Sequence, residues 1–445
     1  MAGRGNDARL ILARDRTFGL LFLVMFTIAA GNTALQSVLP ALGRSLGVPD
    51  SAVAAAFSVS AILWTLVAPF WANRSDRHGR RNMVLLGQIG LTASLFFCGL
   101  FLAAGINGWI APTTAFIFFV GARMLYGGFG SAAPPAVQAI VAARTSRDDR
   151  TKALTLLGSA FGLGTILGPA IAPYLVVGDL WRGGPTIGLA GPALIFSGVS
   201  LAMVFTVARF LPRDVDSSVS HGAVTSYPSI GGQASGASIT AATAPRVEPI
   251  GYLDPRVRAW MICGLILGHA QAMAGQVIGF LVIDRLGVPP IEAIQATGLV
   301  LMMGAGSALL AQWGIIPLLN LNPRQLMLIG LSLSAVGSLA TGSATTLYGI
   351  ATGYALATLG FGFSRPGFTA GSSLAVGQAA QGSVAGKVTS INGAAFILGP
   401  SIGVALYGVW RPLPYLVAAA ALALLIVYGL FSLRPSSGSE ASPGR

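Results

Sequence analysis

Stretches of about 20 predominantly apolar residues recur along the whole chain, and they constrain the fold more than any single motif does. A helix rising 1.5 Å per residue needs about 20 residues to cross a hydrocarbon core of roughly 30 Å. In lipid, only helices and closed barrels satisfy their own backbone polar groups. The runs predict twelve helices, at 17–40, 53–73, 83–104, 113–142, 153–177, 190–211, 256–284, 291–318, 325–343, 346–375, 387–409 and 412–433. The chain is 54% hydrophobic and only 9% charged, where a soluble domain carries about 25% charged residues. Outside the centre and the C-terminal tail, its 59 glycines lie within the apolar runs, where small residues let membrane helices approach closely. The expectation is an all-α integral membrane protein of twelve transmembrane helices.

Composition also excludes several classes. Cys98 and Cys263 both fall inside apolar runs, so neither a disulfide framework nor a metal cluster is implied. The net charge of +13 is not that of a nucleic-acid binder, because the basic residues sit at segment ends. The first apolar run is long and flows into another span, which reads as a retained helix and not a cleaved leader. No metal-ligand spacing, strand-borne phosphate loop or Ser/His/Asp set stands outside the apolar runs, so an enzyme is not expected. No cofactor is expected either; the partners are the bilayer, a small molecule and protons, acting on a monomer.

The longest break, 212–255, includes SSVSHGAVTSYPSIGGQASGASITAATAP, a Ser/Gly/Ala-rich linker without helical or strand period. It divides the chain into bundles 1–211 and 256–433, each of six helices, followed by a tail at 434–445. With the N-terminus in the cytoplasm, 21 of the 27 Lys and Arg residues fall on the cytoplasmic side. Only Arg44, Arg182, Arg285 and Arg411 fall outside, and Arg123 and Arg365 lie within spans. The positive-inside rule therefore places both termini in the cytoplasm, and the expected location is the inner (plasma) membrane.

The two bundles resemble each other. LGVP at 46–49 recurs at 286–289, which pairs Gln36 with Gln276. RNMVLLG at 81–87 resembles RQLMLIG at 324–330, GFGSAAPP at 128–135 resembles GFGFSRPG at 360–367, and ILGPAI at 166–171 recurs as ILGPSI at 397–402. The order is conserved between halves, so the bundles are pseudo-symmetric. Such repeats place a substrate site at the midplane, where the halves meet.

The densest charge stands between two apolar runs, where residues 74–81 read RSDRHGRR. With the residues before it, ANRSDRHGRR at 72–81 resembles the loop G-x-x-x-D-R-x-G-R-R of the major facilitator superfamily, with Ala72 in place of the leading glycine. RMLYGGFG at 123–130 is similar to that family's R-x-x-x-G-x-G in helix 4. GTILGP at 164–169 resembles the helix 5 signature G-x-x-x-G-P-x-x-G-G of its twelve-helix drug and metabolite efflux branch, with Ala172 and Pro173 at the closing glycines. The resemblance covers all twelve spans. It implies alternating access, with Asp76 docking on the helix 11 N-terminus to latch the halves in the outward-facing state. Gly79 would permit the tight reversal, and Arg77, Arg80 and Arg81 would hold the loop in the cytoplasm. Gly164, Gly168 and Pro169 mark either export direction, as the resemblance implies, or only close packing and a kink.

Ionisable groups inside a span are functional by default because burying charge in lipid is costly. Where many proton-coupled relatives carry an acid in helix 1, this chain has Gly31, and no carboxylate stands mid-span; Asp284 and Glu292 lie near outer helix ends. The middle offers Asn32 and Gln36 in helix 1, Arg123 in helix 4, His269, Gln271 and Gln276 in helix 7, and Arg365 in helix 10. Two arginines without an embedded carboxylate imply a cavity of positive potential that suits an anionic substrate. Arg123 either contacts substrate or satisfies backbone carbonyls, whereas Arg365 aligns with Ala133 in the repeat and is not part of the shared scaffold. His269 is the candidate proton relay, or else a packing histidine. The sum is a proton-coupled exporter of a small amphipathic or anionic compound, such as a drug-like molecule or carboxylate metallophore. The alternative is a symporter or facilitator importing an organic anion.

Overall fold

A computed structural model of the chain describes residues 16–144, 147–179, 181, 184–212, 250–319 and 321–433. Residues 213–249 of the expected linker 212–255 and the tail at 434–445 lie outside the described residues, as do the side chains of Asp76 and Arg77.

Twelve long helices account for almost all of the rest. The first six are α1 (Arg16–Ser45), α2 (Asp50–His78), α3 (Arg80–Ile106), α4 (Pro112–Gly128, carried through a 3₁₀ turn at Gly130–Ala132 into Ala133–Arg144), α5 (Arg147–Ile171) and α6 (Gly191–Phe210). The second six are α7 (Arg258–Leu286), α8 (Ile294–Leu309, a π turn at Leu310–Ile315, then Ile316–Leu319), α9 (Pro323–Ser343), α10 (Leu347–Leu374), α11 (Gln378–Val409) and α12 (Leu413–Ser432). Eleven of these are long and apolar enough to cross a membrane. The twelfth, α10, has the length with 28 residues, but its glycines, hydroxyl residues and Arg365 dilute its hydropathy. We call the end where α1 and α7 begin proximal, and the end where they finish distal.

Three local features differ from the sequence expectation. Helix α1 runs on through Pro40 to Ser45. Helix α11 begins at Gln378, about two turns earlier than its apolar run. Helix α5 stops at Ile171, passes through a 3₁₀ turn at Ala172–Leu175 and gives way to a short hairpin, β1 (Val177–Asp179) against β2 (Thr186–Gly188), antiparallel with Val177 opposite Gly188. Asn107, just beyond α3, holds that hairpin by donating from Nδ2 to the Thr186 carbonyl and accepting from the Thr186 amide, each at 2.8 Å. The all-α architecture thus carries one small sheet at its distal rim.

Packing follows from small residues, because lipid offers helices no hydrophobic incentive to associate. Helix α5 lies so close to α1 that a Cβ at Gly164 would stand 2.6 Å from the Phe26 carbonyl oxygen, and one at Gly168 would stand 2.5 Å from that of Ala30. The second half repeats the contact: a Cβ at Gly399 of α11 would stand 2.6 Å from the Ala272 Cβ of α7. Helices α9 and α10 are as tight, with a Cβ at Gly360 only 2.4 Å from the Ser334 amide nitrogen. Helix α9 starts from a capping box in which Asn322 accepts from the Gln325 amide at 2.9 Å and Gln325 Oε1 accepts from the Asn322 amide at 3.0 Å.

The described contacts between halves run from mid-depth to the distal end. Ser58 of α2 meets Ser401 of α11 at 3.0 Å. A Cβ at Gly393 would stand 3.1 Å from the Thr65 hydroxyl. Gly298 of α8 packs on the Pro169 carbonyl and the Pro173 ring of the first half.

Glycine substitutions separate the two kinds of site. Gly360→Leu forces backbone against backbone, and the purified protein is expected to melt at least several degrees lower in detergent or to lose its monodisperse peak. Gly306→Ala in α8 meets open space and gains up to about 1 kcal/mol of helix propensity, so its melting temperature should hold or rise.

Candidate functional site

The embedded polar residues form two clusters, each built on a single arginine. In the first half, Arg123 of α4 is 1% exposed and donates from Nη2 to Asn32 Oδ1 on α1 at 2.9 Å. Its guanidinium lies between two rings of its own half, 5.1 Å from the Phe57 centroid and 5.0 Å from that of Tyr126. Ser60 of α2 donates to the Arg123 carbonyl at 3.2 Å. Nε and Nη1 find no hydrogen-bond partner among the described residues. The rings supply quadrupole stabilisation that the absent carboxylate does not, and together these contacts staple α1, α2 and α4.

In the second half, Arg365 of α10 donates from Nε to Gln271 Oε1 on α7 at 2.7 Å, and from Nη1 to Asn392 Oδ1 on α11 at 3.4 Å. Its guanidinium lies 5.6 Å from the Phe396 ring. Phe396 shares an apolar cluster with Ala272 and with Ala61 of the first half, so Arg365 stands directly behind the seam. Its Nη2 is buried without a hydrogen-bond partner among the described residues. Amide oxygens, not carboxylates, are its partners, and a charged arginine at mid-helix costs about 3 kcal/mol or more in a bilayer.

The other expected site residues are distributed less compactly. Gln36 lines a cavity of about 10 Å³ with Thr33, Ser37, Thr165, Pro169, Leu301, Ala305 and Tyr354, about the room one water needs. Gln276 is 4% exposed on α7. His269 is half-buried, with Nδ1 2.8 Å from the Leu265 carbonyl oxygen one turn back on its own helix. Gly164 and Gly168 face α1 within their own half, while Pro169 reaches the seam.

Gly79 takes φ +84° between α2 and α3, a conformation open to glycine. Arg80 donates to the Ala139 carbonyl at 3.1 Å, and Arg81 to the Ala208 carbonyl near the end of α6. Arg324, which aligns with Arg81 in the repeat, donates to the Leu430 carbonyl near the end of α12 at 2.9 Å. Arg81 and Arg324 thus meet the negative end of a helix in their own bundle.

An ionic cluster at the distal seam went unread in the sequence. Arg44, in the last turn of α1, reaches Asp284 of α7 with both terminal nitrogens, at 2.6 and 3.1 Å, and Asp50 of α2 through Nε and Nη2, at 3.1 and 2.7 Å. Tyr407 donates to Asp284 at 2.5 Å, and Arg411 Nε stands 3.5 Å from it. The signal was present: Arg44 and Asp284 are 240 residues apart, the same offset that superimposes the two LGVP turns. Those turns also share their backbone, with Gly47 at φ +68° and Gly287 at φ +62°. Repeat-equivalent residues of opposite charge face each other across the pseudo-twofold axis.

Two six-helix bundles meeting around buried polar groups, clasped at one end, have the architecture of a membrane transporter. Residues 21–390 match the family model of the Major Facilitator Superfamily, and the chain belongs to that family. It is 27% identical over 201 residues to the Multi-drug resistance efflux pump PmrA homolog of Lactococcus lactis, covering 44% of this chain and 46% of that protein. It is 28% identical over 162 residues to Multidrug resistance protein 1 of Bacillus subtilis, covering 36% of this chain and 39% of that protein. The match therefore spans less than half the length of either relative. The Tetracycline resistance protein, class E, of Escherichia coli is 24% identical over 403 residues, 89% of each chain. In fold the chain is similar to a bacterial homologue of the iron transporter ferroportin in the inward-facing state, with TM-score 0.64, 16% identity and coverage of 93% and 98%.

Removing the clasp should loosen the distal seam. In a Ser58→Cys/Ser401→Cys background, mild oxidation is expected to cross-link the halves readily. Asp284→Asn breaks the bidentate pair, whose charge-assisted bonds contribute about 1.5–3 kcal/mol each, and should slow that cross-linking severalfold in membranes. An unchanged rate would mean that the clasp does not hold the halves together.

Proposed function

We propose that the chain exports a small amphipathic or anionic organic compound, using the proton gradient. One observation carries the anionic preference: Arg365 stands behind the seam between halves with amide partners and an unpartnered Nη2. A bidentate anion would satisfy the free edge of that guanidinium and neutralise a charge for which the described residues supply no mid-span carboxylate. Arg123 contributes to the positive potential from its stacked position, and Asn32, Gln36, Gln271 and Gln276 supply hydrogen bonds. Export as the direction draws support from the names of the relatives, efflux pumps and tetracycline resistance proteins, and from GTILGP in α5.

In this reading both termini lie in the cytoplasm, as does the linker 212–255, so the proximal end is cytoplasmic. The distal clasp then closes the site from outside, and the structure is an inward-facing state. Asp76 docks on the start of α11 when the proximal end closes in turn. His269 is the residue through which a proton passes, and the transporter works as a monomer.

The test is transport into inside-out vesicles with an acid interior, using benzoate and a cationic dye as probes. Wild type should accumulate benzoate in response to the gradient, and Arg365→Gln should cut its uptake by an order of magnitude or more. Uptake that ignores the gradient favours a facilitator. Preference for the dye, unaltered by the substitution, overturns the anionic reading. His269→Gln should abolish the response to the gradient while leaving benzoate exchange intact.

A further inference from the structure

The clasp lies at the top of a stripe. Gln36, Pro40 and Arg44 are spaced four apart and share one face of α1, and Gln276, Phe280 and Asp284 do the same on α7. Each residue of one stripe is 240 positions from its counterpart in the other. The outer two rungs are in contact across the seam. Arg44 pairs with Asp284 and lies 5.2 Å from the Phe280 ring. Below it, a Cβ at Gly279 would stand 2.8 Å from the Pro40 ring. The next rung inward is Gln36 and Gln276.

These two glutamines share an unusual property. Oε1 of each is buried and finds no hydrogen-bond donor among the described residues. A single orphan acceptor is a common flaw, whereas a repeat-related pair on facing helices is a pattern. A buried acceptor left unsatisfied costs about 1–3 kcal/mol, so the folded protein is less stable for having both. Gln36 borders the cavity that α1 and α5 of one half make with α8 and α10 of the other.

We infer that the Gln36–Gln276 rung is a second binding layer that accepts a hydrogen bond from a neutral donor, a hydroxyl or an amide N–H, on the transported molecule. This rests on the anionic reading of Arg365, because it specifies the other end of the same substrate. Gln276 is five residues distal to Gln271, the amide that holds Arg365, and Gln36 is four residues distal to Asn32, the amide that holds Arg123. The acceptor layer is therefore displaced along the helix axes from the guanidinium layer by about 6–7.5 Å. The donor is neutral because a second cation would sit in the field of two uncompensated guanidiniums. The substrate class is an organic acid with a hydroxyl or amide N–H about one benzene ring from its carboxylate.

Three probes test this on the purified full-length transporter by titration calorimetry: benzoate, 4-hydroxybenzoate and 4-methoxybenzoate. Wild type should bind the hydroxy acid several-fold more tightly than benzoate, up to about tenfold for one buried hydrogen bond, and the methoxy acid no better than benzoate. Gln36→Met with Gln276→Met should erase the hydroxyl preference, so that within the double variant 4-hydroxybenzoate binds no more tightly than benzoate. Without ligand, the double variant should melt at or above the wild-type temperature, since it removes two unsatisfied acceptors; a lower melting temperature would mean that they are structurally engaged and overturns the inference. A hydroxyl preference that survives the double substitution, or a preference for the methoxy acid, overturns it too. Arg365→Gln reports separately: it should weaken both acids equally, and unchanged benzoate binding sinks the anionic reading whatever the glutamines do. If wild type binds none of the three, both readings fall.

Discussion

Helices α1 and α7 meet at the distal end of the seam, beside the broader contacts that α2 makes with α11 and α5 with α8. Arg44 and Asp284 clasp it at the distal end, Pro40 and Gly279 close it a turn below, and Gln36 and Gln276 follow a further turn inward. The clasp is sheltered, not sealed: the side chains of Arg44 and Asp284 are 20% and 15% exposed. Such a partly exposed pair remains accessible to water, so it can be broken and remade. Two desolvated charges locked in a dry core would resist separation far more.

The guanidinium clusters show how a membrane protein keeps charge where lipid would exclude it. Among the described residues, neither arginine has a carboxylate hydrogen-bonded or ion-paired to it. Arg123 is sandwiched by Phe57 and Tyr126, which leaves it 1% exposed and ties it to its own bundle. Arg365 has one ring, two amides and, among the described residues, no partner for Nη2, and is 8% exposed. The same chemistry therefore serves two ends. One cation ties α1, α2 and α4 together, and the other ties α7, α10 and α11 together behind the seam between the halves.

Helix number and the repeat were legible in the sequence because hydropathy and period are local properties. What escaped was relational. Pro40 and the polar first turns of α5 and α11 looked like boundaries, yet a proline lacks only one hydrogen bond and the neighbouring helices support the rest. The hairpin at 177–188 has strands of three residues, too short to show a period. Arg44 and Asp284 were each read by the side of the membrane on which they fall, which is how topology is inferred; read instead through the repeat, they form a pair. Arg81 belongs to the loop resemblance, but its hydrogen bond to the end of α6 shows a role inside its own bundle, shared with Arg324 in the other.

The clasp also bears on how such a chain arises. At a twofold axis a residue confronts its own copy, so a dimer of identical six-helix units would set arginine against arginine, or aspartate against aspartate, where Arg44 now meets Asp284. Attraction at that point is possible only once the two units can mutate independently. The flanking residues have diverged in the same sense, with Asp50 beside Arg44 and Arg411 beside Asp284. Joining the units in one polypeptide is thus more than a tether. It permits the symmetry to be broken where the two halves meet at the distal end.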